Sequence, residues 1–119
     1  MITLRAFTLL FAALSTQVAG CDSLCANKEV QRITSPSGAW TAVAFTRDCG
    51  ATTGTSSQVS ILTSGASLPD EPGNVLVLEA SVPIRLSWSA SEELVVAGSR
   101  HVKRFKEEAR VSGVQVVYP

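Results

Sequence analysis

The side chains best suited to chemistry in this sequence are three cysteines and one histidine. They are Cys21, Cys25, Cys49 and His101. A catalytic thiol needs a neighbouring base, and a structural zinc ion needs four ligands that usually come in close-spaced pairs. One histidine and no such ligand pairs argue against both. The sequence therefore predicts no catalytic residue, no metal site and no cofactor, and we expect the protein not to be an enzyme.

Residues 1–20 have the three parts of an export signal. Arg5 and the free amine give a positive start, residues 6–14 are mostly apolar, and small residues lead into Val18-Ala19-Gly20-Cys21. This last run resembles the lipobox of bacterial lipoproteins, which ends in the cysteine that receives lipid. The resemblance implies cleavage between Gly20 and Cys21 and lipidation of Cys21. An ordinary secretory signal is the alternative, whereas a transmembrane helix would need about 20 apolar residues.

Lipidation would place the mature protein in the bacterial cell envelope, facing the periplasm. Proteins with such a lipobox carry two or three acyl chains on the cysteine, and more than one chain is needed for stable anchoring. Asp22 follows directly, and in enterobacterial lipoproteins an aspartate there favours retention at the inner membrane. The expected partner is therefore the membrane, through the lipid on Cys21, with an envelope protein as a further candidate.

The odd number of cysteines has a simple interpretation in an exported protein. If Cys21 carries lipid, Cys25 and Cys49 remain to form a disulfide in an oxidising compartment. Closing a loop of that length would stabilise the fold by roughly 3–4 kcal/mol. That would be a large share of the stability of a small domain.

The charge balance excludes one class of function. The chain carries ten basic and ten acidic side chains, and Arg5 is the only charged side chain among residues 1–20. The mature part then has nine basic and ten acidic residues, a net charge of −1. A general nucleic-acid-binding protein would show a strong basic excess, so we expect no nucleic-acid partner.

Short alternating apolar segments predict an all-β domain at residues 29–119, after a tether at 21–28 and a signal helix at 1–20. Brief turns separate eight predicted strands, at residues 29–34, 39–47, 58–63, 75–79, 84–88, 93–98, 102–107 and 114–118. This spacing is typical of a small antiparallel meander, a sandwich, an open barrel or a blade-like sheet. A helix is the weaker interpretation of residues 92–96 and 103–110, where charges cluster.

Residues 49–57 are small, polar and interrupted by glycine, which predicts a loop. In one interpretation Gly50 and Gly54 let backbone N–H groups converge on an anion, with Thr52 and Thr53 as hydroxyl donors. In the other, a disulfide pins the turn, and its hydroxyls bond its own backbone. We favour the second and keep the loop as a candidate ligand site.

Several runs of the mature part together resemble an uncharacterised family of small bacterial proteins. Its members share an SPDG-type turn, a CGATTG loop, a VSI strand and a later strand that bears tryptophan. The matching runs here are Ser35-Pro36-Ser37-Gly38, residues 49–54, Val59-Ser60-Ile61 and the segment around Trp88. Ser37 stands where the family has aspartate. The resemblance implies export and a similar fold, and it implies no particular activity.

A basic cluster near the C-terminus has two interpretations. Arg100, Lys103, Arg104 and Lys106 could approach anionic lipid headgroups. They could equally belong to a solvated edge strand, where lysine discourages aggregation, and the acidic residues that follow favour this. The sequence thus predicts a lipid-anchored binding or structural module. The alternative is an inhibitor or immunity-type factor that docks on an exported protein, and ligand binding or catalysis at residues 49–57 is a distant third.

Overall fold

The computed structural model describes residues 24–119, and it arranges them in nine β-strands without an α-helix. The strands are β1 (Ala26–Thr34), β2 (Trp40–Asp48), β3 (Thr55–Thr63), β4 (Leu76–Leu78), β5 (Arg85–Ala90), β6 (Glu93–Ala97), β7 (Arg104–Glu107), β8 (Arg110–Val111) and β9 (Val114–Val117). This confirms the all-β class. Between residues 24 and 119 no helix is long and apolar enough to cross a bilayer. The expected signal helix and cleavage site precede residue 24 and lie outside the described residues.

The strands form two sheets that pack as a sandwich. The first sheet has the order β1-β2-β3-β4-β7 and the second has β5-β6-β9-β8. All pairs are antiparallel except β6 with β9. Side chains from both sheets share one apolar cluster, which includes Ala42, Val59 and Leu76 from the first sheet and Leu94 and Val114 from the second.

Strand β2 is buried on both of its faces, as its two-sided apolar pattern predicts for a central strand. Ala42 and Ala44 belong to the cluster between the sheets. Val43 and Phe45 are equally buried, at 0% and 1% exposure, but lie outside that cluster. Since side chains alternate along a strand, these two face the outer side of the first sheet.

The connection from β3 to β4 crosses that outer side and covers it. Its backbone accepts hydrogen bonds from Asn27 Nδ2, at Pro69 and Glu71, and from Arg32 at Ala66. On β3 the buried side chain of Gln58 accepts the Gly73 N–H at 2.8 Å. A Cβ on Gly73 would lie 2.6 Å from the Val59 carbonyl oxygen, so only glycine permits this close approach. The buried side chains of Gln58 and Ser60 therefore act as hydrogen-bond partners for the crossing segment.

Side chains from β1 also bind the edge of the second sheet. A bulge lies between Glu29 and Gln31, and it leaves Val30 64% exposed. The Gln31 carboxamide donates to the Leu86 carbonyl at 3.0 Å and accepts the Leu86 N–H at 2.9 Å. Trp88 Nε1 donates to the Ile33 carbonyl at 3.1 Å. These bonds join the sheets at one side of the sandwich and satisfy backbone groups that an edge strand leaves unpaired.

All eight predicted strands are present, with shifted ends. Strand β1 begins at Ala26, so three residues expected in the tether pair with β2 instead. Pairing with β2 and β4 also extends β3 back to Thr55 and shortens β7 to four residues. The two-residue strand β8 was not predicted. The weaker helical interpretation of residues 92–96 and 103–110 was wrong, because these residues supply β6, β7 and β8.

Candidate functional site

A disulfide between Cys25 and Cys49 joins the residue before β1 to the residue after β2. Ala26 and Asp48, the adjacent residues, are partners in the sheet register. The register therefore brings the two cysteines together, although 24 positions separate them in sequence. This confirms the predicted disulfide.

The disulfide marks one end of the sandwich, which we call the disulfide end. Here β1, β3 and β7 begin, while β2 and β4 end, because Asp48 pairs with Thr55 and Leu78 with Arg104. Two connections between the sheets reach the same end. The Ser57 N–H bonds the Ala80 carbonyl at 3.1 Å, and the Glu79 N–H bonds the Lys103 carbonyl at 2.9 Å. Residues 79–84 and 98–103 therefore lie at the disulfide end.

The loop at residues 49–54 bonds largely to itself. Asp48 Oδ1 accepts the Gly50 N–H at 2.9 Å, and the Gly50 carbonyl accepts the Thr53 N–H at 3.3 Å and its hydroxyl at 3.4 Å. Gly50 and Gly54 have φ values of +112° and +69°, a region that side chains disfavour. Two of the N–H groups proposed for an anion are thus occupied within the chain, which favours the self-bonded turn.

Thr53 and Gly54 line a shallow groove on the outer side of the disulfide end. The groove has a volume of about 270 Å³. Its walls include Cys49, Pro72 and Val77, and Phe105 of β7 closes one side. Phe105 is 66% exposed, and it is one of three large apolar side chains exposed within residues 24–119, with Leu24 and Val30. Sequence analysis did not single out Phe105, because the alternation of residues 102–107 predicts only a strand.

The structure divides the basic cluster into two pairs. Arg104 donates hydrogen bonds to the Ser99 and Val102 carbonyls and to Ser99 Oγ. It also forms an ion pair with Glu107, and its guanidinium group lies over the Tyr118 ring. Lys106 donates to the Gly73 carbonyl. Arg100 and Lys103 are exposed and take part in none of the ion pairs formed within residues 24–119. Arg104 and Lys106 therefore stabilise the fold, and Arg100 and Lys103 remain available to a partner.

His101 is exposed in the connection between β6 and β7, and it does not line the groove that contains Thr53 and Gly54. Within the described residues, Thr52, Thr53 and His101 therefore do not line one pocket together. Among residues 24–119, no group of three metal-binding side chains comes together.

We expect the phenol of Tyr118, which lies next to Arg104, to ionise only at unusually high pH. Burial raises its pKa to about 12, with the charge of Glu107 adding to the effect, and its hydroxyl donates to the Glu108 carbonyl at 2.7 Å. Because the folded-state pKa lies above the unfolded value of about 10, the stabilisation is complete below pH 10 and is lost towards pH 12. We expect the free energy of unfolding to fall by at most about 2 kcal/mol over this pH range, given the partial exposure of the ring.

Tyr118 is the only tyrosine, so phenolate absorbance reports its ionisation directly. A phenolate transition near pH 10 in the folded protein would contradict this.

Two other hollows lie away from the groove. A polar notch of about 430 Å³ is lined by Asn27, Glu29, Arg32 and Asp70, among others, on the outer side of the first sheet. A broader groove of about 680 Å³ runs between the β1 bulge and the start of β5, lined by Val30, Pro83, Ile84, Arg85, Ala97 and Gly98, with Gln31. The bulge and the exposed Val30 give this second groove an open, partly apolar rim.

Comparison with known proteins adds no identification. No family model, no curated protein and no solved structure matches this chain.

Proposed function

We propose that this protein is a lipid-anchored lipoprotein of the bacterial cell envelope, and that its β-sandwich is a non-enzymatic binding or structural module. The observation that carries the proposal is how the cysteines are used. Cys25 and Cys49 are bonded to each other, so Cys21, the cysteine that ends the lipobox-like run, is the odd one. A structural disulfide is typical of proteins outside the cytosol, which supports export.

The start of the fold also supports this interpretation. Strand β1 begins at Ala26, five positions after Cys21. The described sheets therefore begin after the predicted cleavage site, as they would in a protein whose signal is removed. With Asp22 next to the anchor, we place the protein at the inner membrane, facing the periplasm.

Replacing the anchor cysteine tests the proposal. We expect Cys21→Ser to remove the protein from the membrane fraction or to leave it with an uncut signal, because serine cannot form the thioether to lipid. The readout is membrane fractionation with detection of the protein's size. The matched control is the double variant Cys25→Ser, Cys49→Ser, which removes two other thiols and should stay in the membrane fraction. Unchanged fractionation and size of the Cys21→Ser protein would contradict lipidation.

A second candidate function is an inhibitor or immunity-type factor that docks on another exported protein. The groove beside the β1 bulge favours it, since exposed Val30 and the apolar Pro83 and Ile84 line an open surface. Exposed apolar surface of this kind marks many docking sites. Crosslinking in intact cells from Val30→Cys, with Lys28→Cys on the same strand as a control, would test it. Capture of one exported protein from position 30 alone would support docking, and equal patterns from both positions would count against it.

A further inference from the structure

We propose that the disulfide end of the sandwich is a membrane-contacting surface that rests on anionic phospholipid headgroups through Arg100, Lys103 and Phe105. This inference rests on the proposed lipid anchor at Cys21. It goes further in assigning an orientation to the domain and a binding role to residues in the connection from β6 to β7.

The position of the anchor brings this end close to the bilayer. Cys25 lies four positions after Cys21 along the chain, and a fully extended chain spans at most about 3.6 Å per residue. Cys25 would therefore lie within about 14 Å of the lipid-bearing cysteine. Because the disulfide fixes Cys25 to the end of β2, the anchor is tied to the disulfide end of the domain.

The exposed side chains at this end suit a phospholipid surface. Arg100 and Lys103 are exposed and are free of ion pairs within the described part of the chain. Each basic residue near an anionic surface strengthens adsorption about fivefold. Phe105, two positions after Lys103, and Leu24, directly before Cys25, are exposed apolar side chains at the same end, at 66% and 69% exposure. Basic residues flanking exposed apolar ones are typical of surfaces that lie at the membrane interface.

The fold places the acidic residues that follow the basic cluster in sequence away from Arg100 and Lys103. Glu107 and Glu108 follow closely in sequence, but β7 runs away from the disulfide end. At about 3.3 Å per residue, Glu108 lies roughly 16 Å further along than Lys103. This exceeds the screening length of about 8 Å at physiological salt. Glu107 is also paired with Arg104. The acidic residues near this end are Asp48, Asp70, Glu71 and Glu79. Asp48 accepts the Gly50 N–H, Asp70 forms an ion pair with Arg47, and the Glu71 carbonyl accepts the Asn27 side chain of β1.

The native tryptophans provide an internal reference for the orientation. Trp40 begins β2 at the opposite end of the sandwich, and Trp88 contacts Ile33 near the end of β1. A domain that rests on its disulfide end keeps both indoles away from the acyl chains. A tryptophan placed at position 105 would instead enter the interface.

The test uses the full processed protein in vesicles of phosphatidylethanolamine and phosphatidylglycerol whose acyl chains carry bromine, a quencher of indole fluorescence. We expect strong additional quenching in Phe105→Trp, and little in the native protein or in Ala90→Trp, an exposed position at the opposite end. We also expect Arg100→Glu to remove most of the quenching at position 105. Arg110→Glu, the same change at the opposite end, should leave it unchanged.

Each outcome decides the proposal. Equal quenching at positions 105 and 90, or none at either, in protein that floats with the vesicles would overturn the membrane-contacting surface and leave the anchor intact. Native protein that fails to float would overturn the anchor itself, and the surface with it.

Discussion

Removing the disulfide by Cys25→Ser with Cys49→Ser is expected to lower the free energy of unfolding by about 3–4 kcal/mol. The bond closes a loop with a sequence separation of 24, which contains all of β1 and β2. In the unfolded chain the disulfide-closed loop excludes many conformations, so removing the bond makes the unfolded state more favourable. The bond also holds the edge strand β1 at its first residue, so we expect β1 to open first.

Chemical denaturation of the double variant beside the native protein measures this effect. The native protein under reducing conditions should lose the same amount, which separates the bond from the serine side chains. Thiol labelling of the oxidised native protein should find neither Cys25 nor Cys49 reactive. A double variant within about 1 kcal/mol of the native protein, the size of a typical point-mutation effect, would contradict a stabilising disulfide.

The second large effect is expected at Leu94. This side chain is 0% exposed on β6, a central strand of the second sheet, and it belongs to the cluster shared by both sheets. Leu94→Ala should lower the free energy of unfolding by about 2–5 kcal/mol, because it removes buried methyl groups and leaves a cavity in a packed interior. A denaturant melt gives the value.

Leu24→Ala is the matched control, since the same atoms are removed from a side chain that is 69% exposed. Surface changes of this kind stay within about 0.5 kcal/mol. Similar losses in the two variants would show that Leu94 does not lie in a shared core. A change at Leu94 near zero would contradict the packing of the two sheets.

The strands could be predicted because their cause is local. The alternation in β2 and the continuous apolar character of both of its faces predict a central strand, and Ala42 and Phe45 are buried on opposite sides. Turn residues such as Pro36 and Gly38 mark the first hairpin. A backbone hydrogen bond from the Gly38 N–H to the Ser35 carbonyl closes this turn. The cysteine count predicts the disulfide by simple parity.

The features of the fold that the sequence did not predict depend on contacts between segments that are distant along the chain. The polar side chains of Gln58 and Ser60 look solvent-facing in sequence, yet the segment before β4 covers them. The parallel pairing of β6 with β9 and the short strand β8 need the whole second sheet. The pairing of Gln31 with Leu86 joins residues 55 positions apart. No local pattern encodes these long-range contacts.

The candidate surface shows the same division. Arg100, Lys103 and Lys106 form one cluster in sequence, but only the fold pairs Lys106 with the Gly73 carbonyl and places Arg100 and Lys103 at the disulfide end. The sequence therefore predicts the lipid anchor and the disulfide, while the proposed orientation of the domain depends on the course of β7.

The most direct measurement is the mass of the N-terminal peptide of the protein purified from membranes of its native host. We expect a peptide that begins at Cys21 and carries the added mass of two or three acyl chains with their glycerol link. A peptide that begins at Met1, or a Cys21 without added mass, would contradict the lipid anchor.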